Sequence, residues 1–181
     1  VGGIVMNNAS GMNCGTHANS DKELLSAKIV LADGTRLNTG DPESRMTFEK
    51  NHTPFLNKII EIRDEIRNDN ELSDRIRKKY SIKNVTGLNL LPFVIYDDPF
   101  DIIAHLMVGS EGTLAFLSEV TMKTEHDYPY SASAMLYFSN IKDACRAVVA
   151  MKPGPVFSAE LLDKKSLASV NDTTGTGLTA V

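Results

Sequence analysis

Two short runs of apolar and β-branched residues near the start of the chain predict a β-hairpin. Residues 24–32 and 35–39 are strand-like, and the Asp33-Gly34 pair between them is a strong signal for a two-residue hairpin turn. The preceding residues 7–16 are rich in Gly, Asn and Ser, which favour turns and positive φ angles. This part of the chain is therefore expected to be a loop followed by a hairpin.

Apolar residues take up helical spacing between residues 41 and 80. Asp41 before Pro42 has the form of an N-cap followed by a first-turn proline, and Thr53 before Pro54 repeats it. A third helix is expected to begin at Asn70. One face of the second helix and one face of the third are predicted to be buried, through Phe55, Ile59, Ile62 and Ile66 and through Leu72, Ile76 and Tyr80.

A loop over residues 81–93 is expected to lead out of this helical insertion. Asp98-Pro99-Phe100-Asp101 then has the cap, first-turn proline and third-position acid of a helix start, and Gly109 is placed to end that helix. Residues 113–124 alternate in polarity and include β-branched residues, which predicts a strand.

After residue 126 the sequence pattern changes to alternating strands and helices. It predicts a strand over 132–138, a helix over 141–151 capped by Asn140, a strand over 156–162 and a helix over 164–170. This β-α-β-α order with short links is typical of a small α+β domain of ferredoxin-like type. The chain is thus predicted to be α+β, with one domain over residues 1–126, whose segment 41–93 is mostly a helical insertion, and the start of another over 127–181.

The composition argues against nucleic-acid binding through global charge, a disulfide or metal framework and a membrane span. The 181 residues have 42% hydrophobic content and a formal net charge of -4, which predict a folded chain with no global attraction to nucleic acid. The two cysteines, Cys14 and Cys145, give neither a disulfide framework nor a metal-binding pair, which favours a reducing, cytoplasmic setting. No apolar run reaches the roughly 18 residues of a membrane helix, so any membrane attachment is expected to be peripheral.

Several charged or metal-capable residues are interpreted as structural or solvent-exposed and not as functional. The basic run on the third helix (Arg75, Arg77, Lys78, Lys79) is interpreted as a solvated face, because Glu71 and Asp74 lie on the same helix. The scattered histidines (His17, His52, His105, His126) lack the spacing of a metal site.

Both ends of the chain are interpreted as internal sequence, since it opens on Val1-Gly2-Gly3 and closes on the strand-like residues 178–181.

Two glycine-containing segments are candidates for ligand binding. Gly109 and Gly112 allow backbone to approach a ligand closely, and the amides and hydroxyls of Ser110 and Thr113 could bond a phosphate, a ribose or a flavin edge. The alternative is a helix-to-strand connection whose glycine only ends the helix. The second candidate, Gly2-Gly3 with residues 7–11, could offer several amides to a polar cofactor group, or be a plain irregular loop.

Taken together, these segments resemble a known family. The matching stretches are residues 1–3 with 8–11, then 31–35, then 109–114 before a strand that ends Glu119-Val120-Thr121; they resemble the second half of the PCMH-type FAD-binding domain of vanillyl-alcohol-oxidase-type flavoproteins. The insertion, with Asp41-Pro42, Lys83-Asn84 and Thr86-Gly87, is similar to the D-lactate dehydrogenase branch. Where that branch usually has Tyr and Gly, this chain has Leu88 and Ala115.

The resemblance implies an FAD-dependent dehydrogenase that oxidises a D-2-hydroxy acid, with D-lactate first, and passes electrons to an iron-sulfur region, a quinone or a cytochrome. The chain would carry one wall of the FAD site, and the catalytic base and carboxylate-binding residues would lie outside it. The implied cofactor-binding residues are Gly2, Gly3, Asn7, Asn8, Ala9, Ser10, Gly11, Gly15, Gly109, Ser110, Glu111, Gly112, Thr113, Leu114, Ala115, Phe116 and Leu117.

Two other functions stay open at this point. The same flavin fold serves other substrates, such as glycolate, a sugar or an alkyl-glycerone phosphate, because fold does not determine function. A non-catalytic interaction module could also keep the fold without the cofactor. No metal site is expected in either case.

Overall fold

The computed structural model describes residues 1–11, 18–85, 87–151 and 153–174. Within them the chain is α+β, and it forms two compact units that divide after Glu125. The first unit contains helices α1 (Gly2–Met6), α2 (Ser20–Glu23), α3 (Pro42–Asn68), α4 (Asn70–Lys79), α5 (Leu91–Ile95) and α6 (Pro99–Leu106), with strands β1 (Leu24–Val30), β2 (Arg36–Asn38) and β3 (Phe116–Met122). The second contains α7 (Ile141–Met151) and α8 (Lys164–Thr174).

The strands of the first unit form an antiparallel sheet in the order β2-β1-β3. The predicted hairpin is confirmed, with Ile29 opposite Leu37, but its loop has three residues (32–34) and not two. The Leu31 amide donates to the Thr35 carbonyl at 2.8 Å, and Gly34 takes a φ of 85°. A tight turn followed by a left-handed residue is the usual three-residue solution, and glycine fills that last position without steric cost.

Helix α3 contains the break that was expected between two helices, but not its expected cause. His52 leaves helical geometry at φ -132° and ψ 30°. The Thr53 hydroxyl does not cap a new helix; it donates to the Glu49 carbonyl at 2.6 Å. Asp41 does cap α3, by accepting from the Glu43 amide at 3.2 Å. On the predicted apolar face Ile66 is buried, whereas Phe55 is 40% exposed and Leu56 is buried next to it.

Helix α4 is confirmed at its predicted start, and its basic run is exposed. Helix α5 lies partly inside the predicted loop 81–93, so that prediction is wrong. The five residues of α5 form little more than one turn, with four of them buried. Arg67 holds this turn in place, since its guanidinium donates to the carbonyls of Phe93 at 2.9 Å and Tyr96 at 2.6 Å. Burial and a side-chain anchor, and not periodicity, produce this helix.

Six of the eight residues of helix α6 are buried. Asp98 caps it as predicted, accepting from the Phe100 amide at 2.8 Å, and Ile102 is 0% exposed. Arg45 at the start of α3 pairs with Asp98 at 2.7 Å and with Asp101 at 3.3 Å, which joins the starts of the two helices. The helix then ends at Leu106, whereas the expected stop at Gly109 predicts Val108 as its last residue. It delivers the chain to the turn that precedes β3.

Helices α7 and α8 of the second unit are confirmed. Asn140 caps α7 by accepting from the Asp143 amide at 2.9 Å, and Asp163 caps α8 by accepting from the Ser166 amide at 2.7 Å. The strands predicted over 132–138 and 156–162 are wrong, because neither segment pairs with a strand in the described residues. Alternation predicts which face a strand would bury, but a strand also needs a neighbour to satisfy its backbone groups. The residues 178–181, read as a strand start, lie outside the described residues.

The glycine-rich start of the chain forms helix α1 and not the expected turn. Its helical backbone brings it against β3, so that a Cβ added to Gly2 would lie 2.9 Å from the Leu117 carbonyl oxygen. A Cβ on Gly3 would meet nothing within 4 Å. Glycine at the first position therefore permits the close approach of helix and strand.

This contact gives a matched pair of variants. Gly2→Ala should lower the free energy of unfolding by about 1–3 kcal/mol through overpacking against backbone. Gly3→Ala should leave it unchanged or raise it by about 0.4–1 kcal/mol, because alanine restricts the unfolded chain and favours helix. Urea denaturation followed by circular dichroism measures both. Equal effects at the two positions would contradict the placement of α1 on β3.

None of the helices in the described residues is long and apolar enough to cross a bilayer. The described residues also bring together no group of three or more His, Cys, Asp and Glu that could hold a metal ion.

Candidate functional site

The segment from Gly109 to Leu117 turns the chain from α6 into β3. Gly109, Glu111 and Gly112 have φ angles of 82°, 53° and 77°. Left-handed backbone costs a residue with a Cβ roughly 1 kcal/mol or more, so glutamate at position 111 is held there by its surroundings. Its amide donates to the Met6 carbonyl at 3.0 Å, which fixes the turn to the end of α1.

The two hydroxyls of this turn stabilise the turn itself. The Ser110 hydroxyl donates to the Met107 carbonyl at 2.8 Å, and the Ser110 side chain is buried, with 2% of the residue exposed. The Thr113 hydroxyl donates to the Ser110 carbonyl at 2.6 Å. Both donors are therefore used inside the protein, and binding of a ligand by these two residues stays a prediction. The surface that the turn offers is the exposed stretch from Glu111 to Leu114.

The loop over residues 7–11, here called the N-terminal loop, is organised by Asn8. This residue is 4% exposed, has a φ of 48°, and uses both ends of its amide. Its Nδ2 donates to the Asn84 carbonyl at 3.1 Å, and its Oδ1 accepts from the Asp21 amide at 3.3 Å. The Ala9 carbonyl accepts from the Ser20 hydroxyl at 3.3 Å. The N-terminal loop is thus held on one side by residue 84 and on the other by residues 20 and 21.

The structure brings most of the predicted cofactor-binding residues to one region of the first unit, because the bond between Glu111 and Met6 joins the turn to the end of α1. Gly3, Asn7, Gly11, Glu111, Gly112, Thr113, Leu114 and Phe116 are exposed there, Gly2, Ala9 and Ser10 are half-buried, and Asn8, Gly109, Ser110, Ala115 and Leu117 are buried. Gly15 lies outside the described residues.

A third segment of the same region was not predicted to bind the cofactor. The described residues 83–85 and Gly87, here called the insertion loop, contact both of the others. Lys83 Nζ donates to the Gly11 carbonyl at 3.2 Å, and the Gly87 carbonyl lies 3.0 Å from where a Cβ of Gly109 would be. The sequence signal was Lys83-Asn84 just before Thr86-Gly87, which carries part of the resemblance to the D-lactate dehydrogenase branch but was not assigned to the cofactor site.

The buried His105 forms a polar pair with the half-buried Tyr96. His105 Nδ1 bonds the Asp101 carbonyl at 2.8 Å, so it carries the proton, and Tyr96 donates its hydroxyl to His105 Nε2 at 3.0 Å. Burial raises the pKa of Tyr96, and the carboxylates of Asp101 and Asp21 raise it further. The phenol therefore stays protonated and holds the histidine, which agrees with a structural role for His105.

An open groove of about 380 Å³ lies elsewhere, between α3, α4 and α5. Its lining residues are Arg67, Asn70, Ser73, Asp74, Arg77, Val94, Ile95 and Asp97, none of which was expected to contact a cofactor. In that groove the hydrogen bond from Arg67 lowers the pKa of Asp97. Arg67 and Asp97 are thus paired with each other across the end of α5, which indicates a structural role for this charge pair.

Comparison with known proteins gives a partial match. The chain is 33% identical over 79 residues to a mitochondrial D-lactate dehydrogenase (cytochrome) of Arabidopsis thaliana. The matched segment is 42% of this chain and 14% of that protein, so the chain spans a small part of that relative. No family model and no solved structure matches the chain.

Proposed function

We propose that this chain supplies one wall of the FAD site of a dehydrogenase that oxidises a D-2-hydroxy acid, with D-lactate as the first candidate. The observation that carries the proposal is the hydrogen bond from the Glu111 amide to the Met6 carbonyl, because it joins the two segments whose sequences resemble FAD-binding loops. The partial similarity to a D-lactate dehydrogenase supports the same substrate class.

The residues present fit a flavin nucleotide in two respects. Gly112 faces open space, since a Cβ there would meet nothing within 4 Å, and its left-handed backbone leaves the turn unobstructed on that side. Ser10 Oγ is buried without a hydrogen-bond partner in the described residues, and an unsatisfied polar atom beside an exposed loop is suited to a polar ligand. Backbone groups of residues 111–114 and of the N-terminal loop would hold the cofactor.

The chemistry divides between cofactor and protein. When bound, FAD would supply the hydride acceptor, flavin N5, for the C2 hydrogen of the hydroxy acid. The residues of this chain would bind and orient the cofactor, through the exposed residues 111–114 of the turn and through the N-terminal loop. A base for the substrate hydroxyl and cations for its carboxylate are proposed to lie in other parts of the enzyme.

The wider assignments belong to the same proposal. Residues 1–126 would be the later part of a PCMH-type FAD-binding domain, and the following residues would begin a substrate domain. Electrons would leave to an iron-sulfur region, a quinone or a cytochrome. The setting would be cytoplasmic, with peripheral contact to the membrane, and nucleic acid would not be a partner.

The test uses the full-length enzyme that contains this chain. It should be yellow with one FAD per protein, and D-2-hydroxy acids should bleach its flavin absorbance near 450 nm under anaerobic conditions, whereas the L enantiomers should not. Flavin that no D-2-hydroxy acid reduces would overturn the substrate class. The isolated chain should be colourless, so stoichiometric flavin on it would contradict the proposal that it forms only one wall.

A further inference from the structure

We propose that Asn8 is a positioning residue that locks the N-terminal loop to the insertion loop, and through it sets the place of the cofactor-facing turn. The inference rests on the proposed function, but it concerns a contact that the family resemblance did not assign. It gives the helical insertion a part in the cofactor site.

Asn8 is suited to this role by its backbone and its burial. A φ of 48° is left-handed, a conformation that asparagine tolerates better than other residues with a Cβ. The side chain is enclosed and makes its two bonds to main-chain groups of residues 21 and 84, which are 13 and 76 positions away in sequence. An amide that donates on one side and accepts on the other can join two such groups only in one orientation.

Hydrogen bonds and close contacts connect Asn8 to the turn at residues 109–114. The Asn8 amide donates to the Val5 carbonyl at 2.8 Å, and Met6, next along α1, accepts the Glu111 amide. On the other side the insertion loop touches Gly109 through the Gly87 carbonyl. Lys83 adds a cation over the carbonyls of Gly11 and Ser10, at 3.2 and 3.5 Å. The three segments therefore hold one another around a single buried amide.

Substitution by aspartate isolates the donor end of this amide. Asn8→Asp keeps the shape, the tolerance of left-handed backbone and the acceptor for the Asp21 amide. As a carboxylate it places two acceptors opposite each other at Asn84, whereas a protonated carboxyl donates and restores the bond. A carboxyl that is buried against a carbonyl has its pKa raised above the ordinary value of about 3.9, so restoration falls at mildly acidic pH.

The experiment measures FAD affinity of the full-length enzyme and amide hydrogen exchange at Glu111 of the FAD-free protein, at about pH 8 and about pH 5. Asn8→Asp should weaken FAD binding about tenfold at the higher pH, which corresponds to one lost charge-sensitive hydrogen bond, and return to within about twofold of the wild type at the lower pH. Protection of the Glu111 amide, with exchange corrected for its intrinsic pH dependence, should follow the same course.

The control is Asn38→Asp, the same substitution outside the site. The Asn38 side chain uses its acceptor end, since Oδ1 accepts from the Gly40 amide at 3.1 Å, and a carboxylate keeps that bond. This variant should alter neither measurement at either pH. Lys83→Met is a second variant, which keeps Asn8 and serves if Asn8→Asp does not fold. It should speed hydrogen exchange of the Glu111 amide equally at both pH values. Glu111 protection that neither variant changes, or an Asn8→Asp defect that persists equally at both pH values, would overturn the inference. A wild type without FAD would overturn the proposed function alone, since the exchange measurement needs no cofactor.

Discussion

Replacing Ile102 with alanine should lower the free energy of unfolding by about 2–5 kcal/mol. Ile102 lies in α6 and is 0% exposed, so the change removes buried methyl groups and leaves a cavity that the neighbouring helices and strand can fill only in part. Helix α6 also delivers the chain to the turn at Gly109. The loss of core packing should therefore reduce FAD affinity of the full-length enzyme at temperatures near its unfolding transition.

Ile82→Ala is the matched control for this change. Ile82 is 70% exposed, and truncation there should change the free energy of unfolding by less than about 0.5 kcal/mol. Chemical denaturation of both variants gives the difference directly. Similar midpoints for the two variants would show that α6 does not form the centre of the first unit.

Replacing Gly109 with alanine should have the next largest effect, a loss of about 2–4 kcal/mol in the free energy of unfolding. Two costs combine at this position. The φ of 82° is strained for any residue with a Cβ, and the added Cβ would lie 3.0 Å from the Gly87 carbonyl. Because the second contact involves backbone, relief requires the insertion loop to move, and FAD binding should weaken together with stability.

Two other glycines separate these costs. Gly112 and Gly34 also have positive φ angles, of 77° and 85°, but a Cβ at either meets nothing within 4 Å. Their alanine variants should pay the backbone cost alone, about 1–2 kcal/mol. Gly34→Ala should leave FAD affinity unchanged because the hairpin loop lies outside the site. A Gly109→Ala variant no less stable than these two would contradict the contact with Gly87.

The elements that could be predicted from sequence are those with a local cause. Asp41 and Asp98 cap their helices because an acid directly before a proline bonds the first free amides, and both residues of this signal are adjacent in the chain. The same holds for Gly34 in the hairpin. Helix α5 and the absent strands over 132–138 and 156–162 depend on distant partners, such as Arg67 for α5, which no local pattern contains.

The candidate site divides in the same way. Glycines at 109 and 112 marked the turn, because tight backbone geometry selects glycine locally. The internal bonds of the Ser110 and Thr113 hydroxyls were not predicted, although each bonds a carbonyl only three residues before it. The insertion loop was missed because its bond to Asn8 spans 76 residues of sequence.

The central claim is that the turn and the N-terminal loop face FAD, and hydrogen exchange of the full-length enzyme with and without FAD tests it most directly. Amides of residues 111–114 and of the N-terminal loop should exchange more slowly when FAD is bound, while the groove lined by Arg67 and Arg77 should not change. Unchanged exchange at residues 111–114, with protection confined to other parts of the enzyme, would contradict the claim.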